Sequence, residues 1–214
     1  MPELPEAEVA ARQLRERVVG ATVRDCWIGR KDIVREGLPS LEQYRQAKIV
    51  GVERKGKSVI LHFLCGKEPR FLVAELGMTG LLLFRSTLTK HPQHTHFILH
   101  LDGCCEPDIR YWNPRRFGRL SLLDQAGLDR YVARRFGHDP LTISHEQFLR
   151  VLRATRSRLK SLLMHQQVIA GIGNIYANEI LFRSRLHPNQ PSNSIPGKSI
   201  TRLHQVMGEV LREA

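Results

Sequence analysis

Val168-Ile169-Ala170-Gly171-Ile172-Gly173-Asn174 places two glycines within three positions between helical patterns. Gly171 and Gly173 mark two turns at positions where the backbone packs closely. Helical patterns flank the turns, over residues 158–166 before them and 174–183 after. A helix beginning at Asn174 would point its unpaired N–H groups outward and offer a phosphate site. The same pattern also fits a capped helix hairpin with nothing bound.

Working outward, residues 126–135, 144–154 and 200–214 read as further helices, and Gly137-His138-Asp139-Pro140 breaks the chain ahead of most of them. Upstream the period changes. Short apolar or alternating runs over 22–28, 49–54, 58–64, 71–76, 80–84, 97–101, 109–112 and 120–123 are broken by Gly, Pro, Asp and Asn. They predict a β-sandwich or barrel, with a short helical interruption at 41–47. Residues 5–19 predict a helix with Ala10, Leu14 and Val18 on one face and Gly20 closing it. The fold class is therefore α+β: an N-terminal helix and β-sandwich over 1–136, then an all-helical domain over 137–214.

Composition narrows the partners. With 42% hydrophobic residues in 214, the chain can bury a core in one large or two small domains. Lys and Arg number 33 against 21 acidic residues, a formal net charge of +12. That excess points to a polyanion, nucleic acid first and anionic membrane second; scattered surface charge is the plainer account. No apolar run is long enough to span a bilayer and no signal-peptide pattern opens the chain, which predicts a cytoplasmic protein. Cys26, Cys65, Cys104 and Cys105 have no metal-ligand spacing and read as reduced structural thiols.

Chemistry gathers at Met1-Pro2-Glu3-Leu4-Pro5-Glu6. Removal of the initiator Met would leave Pro2 as a free secondary amine. An α-amino group has an unperturbed pKa of roughly 7.7–8.0, against about 10.4 for lysine. Such an amine is partly neutral near neutral pH and can attack an aldehyde-level carbon to give an iminium. Glu3 and Glu6 are adjacent candidate proton carriers, although acidic residues at a helix start are also ordinary dipole partners.

Five motifs occur in order: PELPE at 2–6, RKGK at 54–57, LGMTG at 76–80, NPRRFG at 113–118 and AGIGNIYA at 170–177. Together they resemble the formamidopyrimidine-DNA glycosylase / endonuclease VIII family. The RRFG and GIGNIYA strings, with KHPQH at 90–94, look more like its formamidopyrimidine-DNA glycosylase branch. The resemblance implies a base-excision repair enzyme with a β-sandwich, a helix-two-turn-helix, and damaged double-stranded DNA as partner. It implies oxidised purines as substrates; an endonuclease VIII-like preference for oxidised pyrimidines, or a non-catalytic damage-binding role, are the alternatives. Pro2 would be the nucleophile of a Schiff base and Glu3 the acid/base. Lys57 would hold the phosphate beside the lesion, and Glu6 would orient the amine or simply cap the helix. Met78, Arg115 and Phe117 match insertion residues that replace an extruded base. His91, Arg115, Lys160 and Asn174 match DNA-contacting positions that fix the duplex without reading sequence.

Departures from the family pattern fall at Glu75, where a histidine is usual, at Asn113 for aspartate, and at His165 for aspartate. The family's four-cysteine zinc finger has no counterpart before Ala214. The chain ends within a helical pattern, so truncation is the favoured expectation, with no zinc or other cofactor in this chain and a monomer in solution.

Overall fold

Strand positions follow the short apolar and alternating runs in the sequence. In the structure, a computed structural model that describes residues 2–85 and 93–214, α1 (Leu4–Val18) leads into nine strands. These are β1 (Thr22–Ile28), β2 (Val34–Glu36), β3 (Lys48–Lys55), β4 (Ser58–Cys65), β5 (Glu68–Glu75), β6 (Leu81–Phe84), β7 (Thr95–Asp102), β8 (Asp108–Trp112) and β9 (Arg119–Leu123). They form one nine-stranded ladder, β2-β9-β5-β4-β3-β1-β7-β8-β6. β1 and β3 pair at a single position, Thr22 with Lys48, whereas β1 pairs with β7 along its length. That thin junction divides the ladder into halves of five and four strands, and one apolar core draws on both: Leu61 and Leu72 from one, Leu99 and Tyr111 from the other. The expected sandwich is thus a single sheet folded at a weak seam.

Each predicted strand is present with some ends shifted by one to three residues; most are longer than predicted, while β5 stops one residue early and β6 starts one residue late. The exception is β2, which the sequence reading missed: a three-residue edge strand pairing parallel with β9 carries too little periodicity to be seen. The helical interruption expected at 41–47 is a 3-10 helix, Leu38–Tyr44, started by Pro39. On α1 the buried face is Ala7, Ala11, Leu14 and Val18, with Ala10 only partly covered.

The helices are α2 (Gln125–Arg135), α3 (His145–Arg153), α4 (Leu159–Leu163), α5 (Asn174–Ser184) and α6 (Gly197–Glu213). Ser144 starts α3 through a full capping box with Gln147. α4 stops short of the predicted 166 because the Gln166 side chain takes over the turn. Its Nε2 donates to the carbonyls of Met164 (2.8 Å) and Ile172 (2.7 Å), and its Oε1 accepts from Gly171 N–H (2.8 Å).

Two compact units result: Pro2 with Glu6–Tyr131, and Glu3–Pro5 with Val132–Ala214. Residues 3–5 therefore belong with the C-terminal helices. No described helix is long and apolar enough to cross a membrane.

Candidate functional site

Glu3 is fully buried, and its carboxylate occupies the N-terminus of α5. Oε2 accepts from the N–H groups of Gly173 (2.7 Å) and Tyr176 (3.3 Å), and Oε1 from Ile175 (2.9 Å). Alongside, Leu4 N–H donates to the Gly171 carbonyl at 3.0 Å. Gly171 is required for two reasons: its φ is +106°, and a Cβ there would lie 2.8 Å from the Leu4 side chain. The glycine turns thus cradle residues 3 and 4. This corrects the expectation of outward, unpaired N–H groups at this helix start. A protein carboxylate fills the place an external phosphate would take, satisfying the orphan donors and the helix dipole together. Asn174, the first residue of α5, remains exposed.

In the first unit Pro2 is buried ahead of α1, and Glu6 is exposed in its first turn. Lys57 follows Gly56 in the two-residue loop joining β3 and β4, whose last pair is Lys55 with Ser58. The loop is tied to α1 by Arg54. Its nearly buried guanidinium pairs with Glu8 at 2.9 Å and donates to the Gly56 carbonyl at 3.3 Å. Arg54 opens the RKGK motif, but its partner Glu8 was not singled out in the sequence; an acidic residue on a charged helix face gives no signal of what it pairs with.

Met78 and the pair Arg115 and Phe117 sit on two loops pressed against each other. A Cβ on Gly77 would lie 2.4 Å from the Gly118 nitrogen, so only two glycines allow the approach. The first loop is closed by Gly80 N–H donating to the Leu76 carbonyl at 2.7 Å. Phe117 is 56% exposed and Met78 38% exposed, unlike the core apolar residues around them. The Arg115 guanidinium stacks 5.0 Å from the Phe117 ring centre. Beneath them Tyr111 and Asn113 are fully buried, and burial pushes the Tyr111 hydroxyl well above its ordinary range. Asn113 was legible as the first residue of the NPRRFG motif, whereas Tyr111 was not recognised from sequence as part of this arrangement.

Glu75 turns into the protein. Its Oε1 accepts from Arg35 Nη1 (2.8 Å) and from the Tyr131 hydroxyl (2.6 Å), so the carboxylate is neutralised rather than left to repel phosphate. Arg35 lies on the missed strand β2. Lys160 is half-buried in α4, its N–H bonded to the Pro188 carbonyl. His91 lies outside the described residues. Pro2, Lys57, Met78, Arg115 and Phe117 share the first unit; Glu3, Lys160 and Asn174 share the second.

Cys26, Cys65, Cys104 and Cys105 are all free thiols. Among the described residues, no group of three or more His, Cys, Asp or Glu is placed to hold a metal.

A sheet unit with two abutting loop tips, and a helical unit whose two-turn segment grips residue 3, define a class. The family model of the formamidopyrimidine-DNA glycosylase N-terminal domain matches residues 1–120, and that of the formamidopyrimidine-DNA glycosylase H2TH domain matches residues 136–214. The chain belongs to the formamidopyrimidine-DNA glycosylase family. It is 36% identical over 230 residues to the formamidopyrimidine-DNA glycosylase of Thermomicrobium roseum, covering 100% of this chain and 78% of that one. The crystal structure of the MutM (Fpg) protein of Thermus thermophilus superposes with a TM-score of 0.84 at 36% identity, covering 100% of this chain and 76% of that one. The Lactococcus lactis enzyme, bound non-covalently to DNA containing an abasic site, gives a TM-score of 0.87 at 26% identity over 99% of this chain and 80% of that one. The chain thus spans about three quarters of the length of these relatives.

Proposed function

We propose that this chain is a base-excision repair DNA glycosylase that also cleaves the strand at abasic sites, and that it removes oxidised purines through the Pro2 amine. The family membership carries the glycosylase and lyase activities and damaged DNA as partner. The family's own name supports the lesion class, since a formamidopyrimidine is a ring-opened purine.

The chemistry follows from the residues. The target nucleotide leaves the stack, at an unstacking cost of a few kcal/mol, and Met78 and Phe117 fill the gap while Arg115 faces the orphaned base. With Met1 removed, the Pro2 nitrogen attacks C1′ of the extruded nucleotide. The C1′–N bond to the base breaks, the base departs with a proton, and the sugar ring opens to an iminium joined to the protein. The iminium acidifies the C2′ proton. Its removal expels the 3′ phosphate by β-elimination, and water then releases the amine. Glu3 serves as the proton carrier at the ring oxygen while anchoring α5, Lys57 holds the phosphate beside the lesion, and Glu6 complements the α1 dipole. His91, Lys160 and Asn174 hold the backbone of the duplex. The protein acts as a monomer in the cytoplasm, at the nucleoid, and no step runs through a metal or cofactor.

The single observation that supports this reading is the Glu3 anchor. Three backbone donors fix the residue next to Pro2, which gives the amine the rigid mount that positioning catalysis needs. Borohydride trapping on a duplex with 8-oxoguanine opposite cytosine, run beside an abasic duplex, tests it. A covalent adduct mapped to Pro2 on both is expected. Strand cleavage that persists in Pro2→Gly would sink the mechanism.

A further inference from the structure

We infer that Asn113, acting as an amide with a fixed direction, is the positioning residue for the insertion loop. The inference rests on the reading of Met78, Arg115 and Phe117 as insertion residues. Every polar group of Asn113 is committed. Its N–H donates to the His94 carbonyl (3.0 Å) and its carbonyl accepts from Arg116 N–H (3.2 Å), while His96 Nε2 approaches the same carbonyl at 3.0 Å.

The side chain sets the direction. Arg116 N–H, which can only donate, lies 3.0 Å from Oδ1, so Nδ2 must face the Tyr111 hydroxyl at 3.0 Å. Tyr111 accepts that bond and gives its one proton to the Glu75 carbonyl at 2.6 Å. The chain Asn113 to Tyr111 to Glu75 therefore runs one way. It lies directly beneath Gly118, where a Cβ would be 2.1 Å from both the Tyr111 hydroxyl and the Glu75 carbonyl. It also holds Arg116 at φ +56°, a conformation a non-glycine residue adopts only when surrounded by fixed partners. That turn presents Arg115 and Phe117 on either side.

Aspartate would have the same shape but no hydrogen to give. Tyr111 would then face two acceptors with one proton, and either the carboxylate or the Glu75 carbonyl would lose its partner. The change from the aspartate that the family resemblance implies is near-isosteric in volume but reverses the direction of a buried bond.

The test uses Asn113→Asp and Tyr111→Phe in the full chain, with two readouts. The first is hydrogen exchange of residues 113–118 in the free protein, corrected for intrinsic rates. The second is excision of 8-oxoguanine relative to cleavage at an abasic site. The titratable and charged groups around position 113 are His94 in the turn before β7, His96 in β7, Tyr111 from β8, Glu75 from β5, Arg116, and Arg119 at the start of β9.

At about pH 8, Asn113→Asp should exchange faster over 113–118. It should also excise about tenfold more slowly than the parent, the equivalent of one buried hydrogen bond. Toward about pH 5 the introduced carboxyl takes up a proton, becomes a donor, and the ratio to the parent measured at the same pH should rise toward one. Tyr111→Phe should lose as much with no recovery in acid. Unchanged exchange in Asn113→Asp, or a loss independent of pH, overturns the directional relay. Faster exchange with unaltered excision overturns the positioning role. A parent protein that excises no lesion overturns the function reading instead, and the exchange result still decides the relay.

Discussion

The Glu3 carboxylate meets the Gly173 N–H at 2.7 Å, joining residues separated by 170 positions. With Ile175 and Tyr176 as further donors, Glu3 serves α5 as an N-cap drawn from the opposite end of the chain. Glu3→Ala should therefore destabilise the helical unit by about 1–3 kcal/mol, the cost of buried amide donors left without an acceptor. Glu3→Gln, which keeps one acceptor oxygen, should lose less. Thermal unfolding followed by circular dichroism measures both. A Glu3→Ala melt identical to the parent would show that the anchor is absent in solution. Because stability and chemistry meet in this residue, its activity loss needs comparison with Pro2→Gly, which leaves the Glu3 anchor in place and should lower the melting temperature less.

The Gly77–Gly118 contact makes a second expectation. Gly118→Ala would set a Cβ 2.1 Å from the Glu75 carbonyl, closer than any real contact, so the loop carrying Phe117 must move. Destabilisation of about 1–3 kcal/mol should accompany a steep fall in lesion excision. Gly197→Ala is the matched control. A Cβ there meets nothing within 4 Å, at the start of α6, so it should be neutral or stabilise by up to about 1 kcal/mol. Equal effects from the two substitutions would refute the packing account.

Glu75 gives a third. Replacing it with leucine removes the carboxylate that Arg35 and Tyr131 share. Arg35 is partly exposed and can turn to water, so the loss should come mainly from the buried Tyr131 side and amount to about 1–2 kcal/mol. Glu75→Gln should recover most of it. Urea unfolding resolves the difference, and a leucine variant as stable as the parent would show that the cluster contributes nothing net.

These particulars show what the sequence could and could not carry. The strands were legible because β4 and β5 alternate or run apolar between turn residues. α5 was legible from Gly173-Asn174 and its following apolar spacing. What fills the start of α5 was not legible, because a carboxylate at position 3 and amides at 173–176 are brought together only by the folded chain. β2 was hidden for a different reason: three residues hold less than two periods of alternation, and its pairing with β9 is purely non-local. The insertion loops were found as motifs, yet the bond direction beneath them depends on Tyr111 and Glu75, which no local pattern links to Asn113.

The last expectation concerns alkaline pH. Burial first, and the neighbouring Asp25 carboxylate second, push the Cys26 thiol from 9.0 up to about 12. Burial also holds the hydroxyls of Tyr44, Tyr111 and Tyr131 above their ordinary range. Each of these groups ionises more readily in the unfolded chain than in the folded one. Their contribution to stability is therefore complete below the unfolded values and is lost as pH rises from about 9 toward the folded ones. The melting temperature should fall over that window, and Cys26→Ala should flatten the part of the fall that begins earliest, since an unfolded thiol titrates before a tyrosine. The same shift makes Cys26 a poor nucleophile. Iodoacetamide at about pH 8 should label exposed Cys105 well before Cys26, as read by peptide mass. Comparable labelling of the two would mean that Cys26 is not shielded as the structure places it.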